Sequence, residues 1–131
     1  MKSSEIKLRL VLTSKTLSPK EISARAKITP TTTWKSGDVV HPRATNVHKE
    51  NGCTVEIIDT ALSAAAERLV DRLKSAVLAN LDGVDVELSC IVNVYGSVPE
   101  LHLDPDVVQF AASIGAALDF DVYVLADEDG K

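Results

Sequence analysis

The stretch Val84-Asp85-Val86-Glu87-Leu88-Ser89-Cys90-Ile91-Val92-Asn93-Val94-Tyr95 decides the fold. Successive side chains of a strand point to opposite faces, so Val84, Val86, Leu88, Cys90, Val92 and Val94 share one face. Asp85, Glu87, Ser89, Ile91, Asn93 and Tyr95 share the other. One apolar and one largely polar face is the pattern of a sheet covered on a single side. Three further segments repeat it: Ile6, Leu8, Leu10 and Leu12 against Lys7, Arg9, Val11 and Thr13; Cys53, Val55 and Ile57 against Thr54, Glu56 and Ile58; and Phe120, Val122 and Val124 against Asp119, Asp121 and Tyr123.

The covering layer is legible between these strands. Leu17-Ser18-Pro19 and Leu103-Asp104-Pro105 are two copies of one cassette, a side-chain oxygen at the N-cap position followed by proline at the first helical position. Ser18 with Glu21 three residues on matches a capping box, and the helix it opens places Ile22 and Ala26 on one face. A second helix is expected from a cap at Asp59 or Thr60 to Gly83, about six turns, with Leu62, Ala66, Leu69, Leu73, Val77 and Leu81 as its apolar stripe. The third begins at Asp104, directs Val107, Val108, Ala111 and Ile114 to the core and is interrupted near Gly115. Leu101-His102-Leu103 reads as a short edge-like strand. The fold class is therefore α+β: a two-layer α/β sandwich, one mixed or mostly antiparallel sheet of four to five strands with three helices on one face, a variant of the ferredoxin-like arrangement. Lys7, Arg9, Glu56, Glu87, Asp119, Asp121 and Tyr123 are then expected on the open face.

A chain of 131 residues, 45% hydrophobic and 25% charged, fits a single domain over 1–131 with one core. The formal net charge of −5 argues against nucleic acid as a partner, because neutralising phosphates takes clustered Lys and Arg. Met1-Lys2-Ser3-Ser4-Glu5 runs into a strand without the apolar core of a signal peptide, and no stretch has the length of a membrane span, so a cytoplasmic protein is expected. Cys53 and Cys90 lie on strands without a CxxC neighbour and read as buried free thiols. The acidic residues at 127–131 read as a frayed tail.

The segment 29–52 departs from this plain picture. It has little periodicity, two prolines, two glycines, the chain's one tryptophan, and His41 and His48. Long segments without their own structure are uncommon in compact domains and tend to be functional or disordered. Lys35, Arg43 and Lys49 against Asp38 and Glu50 make it slightly basic on an acidic body. Within it, Trp34 offers a flat anchor, Gly37 a turn with positive φ, and the amides near Lys35 a cradle for an anion. The alternative is that Trp34 folds back to pin the segment over a sheet edge.

Ile28-Thr29-Pro30-Thr31, Trp34-Lys35-Ser36-Gly37-Asp38, Leu103-Asp104-Pro105 and Leu118-Asp119-Phe120-Asp121-Val122-Tyr123, in this order from Leu8 to Val124, resemble the bacterial domain-of-unknown-function family 4279. Cys53 stands after Gly52 where the resemblance would place a tryptophan. The resemblance implies a small bacterial cytoplasmic protein and brings no activity with it.

Two further constellations bear on chemistry. Asp119, Asp121 and Tyr123 project from one strand face with the carboxylates about 6.5–7 Å apart, a spacing open to cation binding or to a raised carboxyl pKa, or simply to a solvated strand face. His41, His48 and Cys53 have zinc-binding side chains, but at a spacing that matches no compact zinc motif. No nucleophile elbow, P-loop, dinucleotide fingerprint or HExxH is present. No metal or cofactor is therefore expected, and an enzyme is the less favoured reading. The favoured one is a protein-interaction module, with an immunity-type role as analogy. It would bind through Trp34, Lys35, Gly37, Asp38, Arg43, Asp119, Asp121 and Tyr123, so that Trp34→Ala weakens binding and leaves stability nearly unchanged. The second is a small-molecule or anion site under the 29–52 segment. Homodimerisation along a free sheet edge is open to any such sheet.

Overall fold

Leu8, Leu10 and Leu12 run down the middle of the molecule because their strand is the central one. The computed structural model describes residues 2–41, 43 and 45–126, and the tail at 127–131 lies outside the described residues. Its elements are β1 (Glu5–Ser14), α1 (Pro19–Ala26), β2 (Thr32–Trp34), β3 (Asn51–Asp59), α2 (Leu62–Arg72), β4 (Asp85–Val94), α3 (Pro105–Ser113) and β5 (Ala117–Val124). They form a five-stranded sheet in the order β2-β3-β1-β4-β5. β1 pairs antiparallel with β3 and β4, β2 pairs antiparallel with β3, and β5 runs parallel to β4. The α+β class and the mixed sheet are as the alternation implies. The strand order is its own: β1 and β3 are direct antiparallel neighbours, where a ferredoxin-like sheet would split a parallel pair.

The core lies between one sheet face and the helices. Ile6, Leu10, Leu12, Ile22, Cys53, Val55, Leu62, Leu69, Cys90 and Val92 are all essentially inaccessible to water, each large apolar side chain contributing about 1.5–3 kcal/mol relative to exposure. The capping box of α1 is formed: Glu21 N–H donates to Ser18 Oγ and Ser18 N–H to Glu21 Oε1, both at 3.1 Å. These hydrogen bonds with Ser18 hold the Glu21 carboxyl below its ordinary pKa. Among the described residues, no buried side-chain nitrogen or oxygen is left without a hydrogen-bond partner.

Five local expectations are corrected. The second helix has 11 residues, not six turns. Beyond Leu73 the chain turns, Val77 N–H donates to Ala26 O at 2.8 Å, and Leu78 rather than Val77 enters the core. An apolar stripe at helical spacing is thus overruled by a tertiary hydrogen bond and by the turn at Asn80, where φ is +58°. Its N-cap is Ala61 instead of Asp59 or Thr60. Glu100 supplies the missing cap from across the fold, its carbonyl accepting from Leu62 N–H at 3.0 Å and its carboxylate from Ser63 N–H at 2.9 Å. The residues Leu101-His102-Leu103 are not a strand, and Asp104 does not cap α3 with its side chain; its carboxylate instead meets His102 Nε2 at 2.9 Å. Finally, part of the 29–52 segment is sheet: Thr32–Trp34 is β2, and a bridge joins Val39 to Val47.

The largest departure is β5. Its alternation predicts a half-buried strand, yet all eight residues are exposed. The reason is its cover: α3 buries Ala111 alone among its nine residues, Val108 is exposed, and Val107 and Phe110 are half-buried. Leu118, Phe120 and Val122 therefore face a helix layer that does not close over them.

Candidate functional site

Trp34 pairs with Gly52 at the edge of the sheet, and this register explains both residues. Cys53, Val55 and Ile57 point to the core, so Gly52 and Thr54 face the open side, and so do their partners Trp34 and Thr32. The indole lies flat on Gly52: a Cβ added there would fall 2.8 Å from Nε1 and closer still to two ring carbons. On its flank His48 stacks, with ring centroids 4.5 Å apart and planes 17° from parallel. Trp34 thus pins the 29–52 segment over the sheet edge, the alternative that the sequence left open.

The amides offered for an anion are already engaged. Lys35 N–H donates to Asp38 Oδ2 at 2.8 Å, Ser36 N–H to Asn51 Oδ1 at 2.9 Å, and Gly37 N–H to His48 O at 2.8 Å. Gly37 has the expected positive φ, +96°. Asp38 is therefore the internal cap of this turn, while Lys35 and Arg43 are exposed. Beside them, Ser18, Lys20, Ser23, Thr33, Trp34, Lys35 and Asp38 border an open depression of about 550 Å³. His41, His48 and Cys53 do not converge. Cys53 sits in the core on the other side of the sheet from Trp34 and its partner His48, and no cluster of three metal-ligating side chains is found among the described residues.

Asp119, Asp121 and Tyr123 do project together on the open face, in register with Ser89, Ile91 and Asn93. Glu87 joins them from β4, and its carboxyl pKa is raised, first by burial and then by the charges of Asp119 and Asp121. Toward the centre the same face is neutralised, Arg9 Nε meeting Glu56 Oε2 across the β1–β3 pair. The two groups of candidate residues sit at opposite edges of a five-stranded sheet, about 19 Å apart at the usual strand spacing, and do not form one site.

The feature sequence reasoning missed is on the reverse of β5. Leu118, Phe120, Val122 and Val124 form an exposed apolar row, flanked by exposed Val108. Leu118, Phe120 and Val108 line a groove between β4, β5, α2 and α3 whose volume is about 30 Å³, far short of the ~300 Å³ that a small-molecule pocket occupies. The available signal was α3 itself, a short helix asked to cover two strands. Cys53 and Cys90 are free thiols whose pKa values burial pushes up to about 11. They are not cross-strand neighbours, since β1 runs between them with Cys53 opposite Leu12 and Cys90 opposite Leu8.

No helix among the described residues is long and apolar enough to cross a membrane. A family model described as "Domain of unknown function (DUF4279)" matches residues 4–125, nearly the whole chain, and the chain belongs to that family. Neither a curated protein nor a solved structure matches it.

Proposed function

We propose that this member of the family is a protein-interaction module whose partner docks on the β5 edge, adding a strand to the sheet. The observation that carries the reading is an eight-residue edge strand exposed along its full length, with apolar side chains on one face and Asp119, Asp121 and Tyr123 on the other. Strand addition supplies main-chain hydrogen bonds for affinity, while alternate side chains give specificity. Natural edges are usually shortened, charged or covered, and a long bare one with an apolar row is a template for pairing. The acidic members of β5 face the open side, so an incoming strand meets apolar contacts toward the helices and carboxylates toward water. A cytoplasmic, immunity-type setting is consistent with the charge and size and rests on analogy alone.

The test is a photo-reactive amino acid placed at position 122, and in a separate sample at position 35, in tagged protein expressed in its native host. Cross-links to a protein from position 122 that disappear with Phe120→Asp support the reading. Cross-links from position 35 alone move the docking surface to the Trp34 segment and refute it.

The depression beside Trp34 and Lys35 favours a second reading, a small anionic ligand held between α1 and the 29–52 segment. Inorganic phosphate and acetate titrated against the Trp34 indole N–H resonance test it, a saturable shift below millimolar concentration being the expected result.

A further inference from the structure

We infer that the strand which docks on β5 is β5 of a second copy of this chain, antiparallel, on a two-fold axis through Val122; this rests on the reading of β5 as the docking edge. Three observations select that occupant. The first is hydrogen-bond parity. Leu125 N–H donates to Val94 O at 2.9 Å, so the odd-numbered residues turn their backbone groups toward β4. Leu118, Phe120, Val122 and Val124 then turn theirs outward, because successive residues of a strand alternate sides. An antiparallel partner bonds to those even-numbered residues, and an axis through Val122 pairs Val122 with Val122 and Phe120 with Val124.

The second is charge. With the axis at Val122, Asp121 lies opposite Tyr123 of the second copy and Asp119 opposite Leu125, so no carboxylate faces another. An axis through Phe120 sets Asp119 against Asp121, and one through Asp121 sets Asp121 against itself; like charges directly opposite destabilise a strand pair. An axis through Tyr123 leaves Phe120 against Ala126 and drops Leu118 from the ladder. The sequence of β5 is self-complementary in one register.

The third is area. Leu118, Phe120, Val122, Tyr123, Val124 and Leu125 are between 38% and 82% exposed, together about 600 Å² per copy, against the ~800 Å² per partner of a standard interface. Pairing covers the flanks of these side chains, an area below that of a standard interface, which fits a reversible dimer rather than an obligate one. Exposed Val108 borders the same groove as Leu118 and Phe120 and extends the apolar contact onto the helix layer. The two acidic open faces stay in water on the same side of a continuous sheet.

Sedimentation velocity of the full chain from about 5 to 500 µM reads the dimer directly. The expected result is a monomer–dimer equilibrium that Val122→Lys and Val122→Glu each weaken at least tenfold, and that an equimolar mixture of the two variants restores, because the two side chains meet on the axis. Should either variant fold poorly, hydrogen exchange on the unaltered chain decides the matter. The amides of Phe120, Val122 and Val124 gain protection with concentration, while those of Asp119, Asp121 and Tyr123 do not. A chain that stays monomeric throughout, or a dimer indifferent to both substitutions, overturns the inference. If the chain is monomeric and the cross-links from position 122 still reach another protein, the docking edge stands and the second copy falls; if those cross-links are absent as well, both fall.

Discussion

Trp34 and Gly52 form one structural unit, and a double-mutant cycle on them tests the account of the β2 edge. The half-buried indole covers Gly52 and stacks on His48. Trp34→Ala returns about 100–150 Å² of apolar surface to water, which at ~25 cal/mol/Å², reduced for a compact unfolded chain, costs about 2–3 kcal/mol. That corresponds to a fall in Tm of roughly 8–12 °C for a domain of this length. Gly52→Ala in the native background displaces the ring and costs about 2 kcal/mol. In the Trp34→Ala background the same change meets no ring, and the lower chain entropy of alanine in a strand makes it neutral to stabilising by up to ~1 kcal/mol. A coupling near 2 kcal/mol or more is expected from urea denaturation followed by far-UV circular dichroism at unchanged m-value. Additivity within ~0.5 kcal/mol, or a Trp34→Ala variant as stable as the parent, refutes the claim that the tryptophan supports the fold. It would also restore the expectation read from the sequence, that Trp34 acts in binding alone.

Glu87 is held partly desolvated beside Asp119 and Asp121, and its raised pKa means that the folded state favours the protonated form. Its contribution is therefore best below the ordinary carboxyl range and is lost as pH rises through the elevated folded value. Glu87→Gln accordingly raises stability at pH 7 by about a few tenths of a kcal/mol, a gain that shrinks toward pH 4 in parallel urea melts. Cys53 and Cys90, with thiol pKa values pushed up to about 11, stay unmodified by iodoacetamide at pH 8 in the native protein and react in urea, as counted by mass spectrometry. Leu10→Ala, at a fully buried position of the central strand, costs about 3–4 kcal/mol in the same denaturation assay. Ser18→Ala removes the cap of α1 and costs about 1 kcal/mol.

The central strands were legible because burial there depends on the chain's own alternation: once one face of β1 is apolar, its neighbours β3 and β4 are fixed in register by the same rule. The capping box of α1 was equally plain, since Ser18 and Glu21 act within four residues of each other. What stayed hidden depends on partners distant in sequence. The end of α2 is set by Ala26, whose carbonyl takes the Val77 amide, and its start by Glu100, 37 residues beyond the Ser63 it caps. Nothing between Leu62 and Leu81 records either. The Trp34 segment was legible as unusual and not as strand, because three residues carry too little period to read. Its placement comes from Gly52, whose missing side chain is the seat of the ring. The candidate residues were each sensible by type, yet a sequence gives no strand order, and strand order is what puts Trp34 and Asp121 at opposite edges.

The two edges of this sheet are managed in opposite ways, and the difference is informative about β5. At one end, β2 is three residues long, roofed by an indole, and followed by a segment that folds back through the Lys35–Asp38 turn. Each of those devices blunts an edge against pairing. At the other end, β5 runs for eight residues, with valines and a phenylalanine where blunted edges carry lysine or proline. Its two aspartates lie on the open face, where an approaching strand need not bury them. A sequence that needed both edges closed had the means to close them, as β2 shows. The bare edge of β5 is then better explained by a strand that meets it than by chance exposure, and two substitutions separate binding from stability: Phe120→Asp should abolish whatever β5 binds and lower stability by about 2–3 kcal/mol, because half of its ring is buried, whereas Val124→Asp, at a position 82% exposed, should weaken that binding with the melt nearly unchanged.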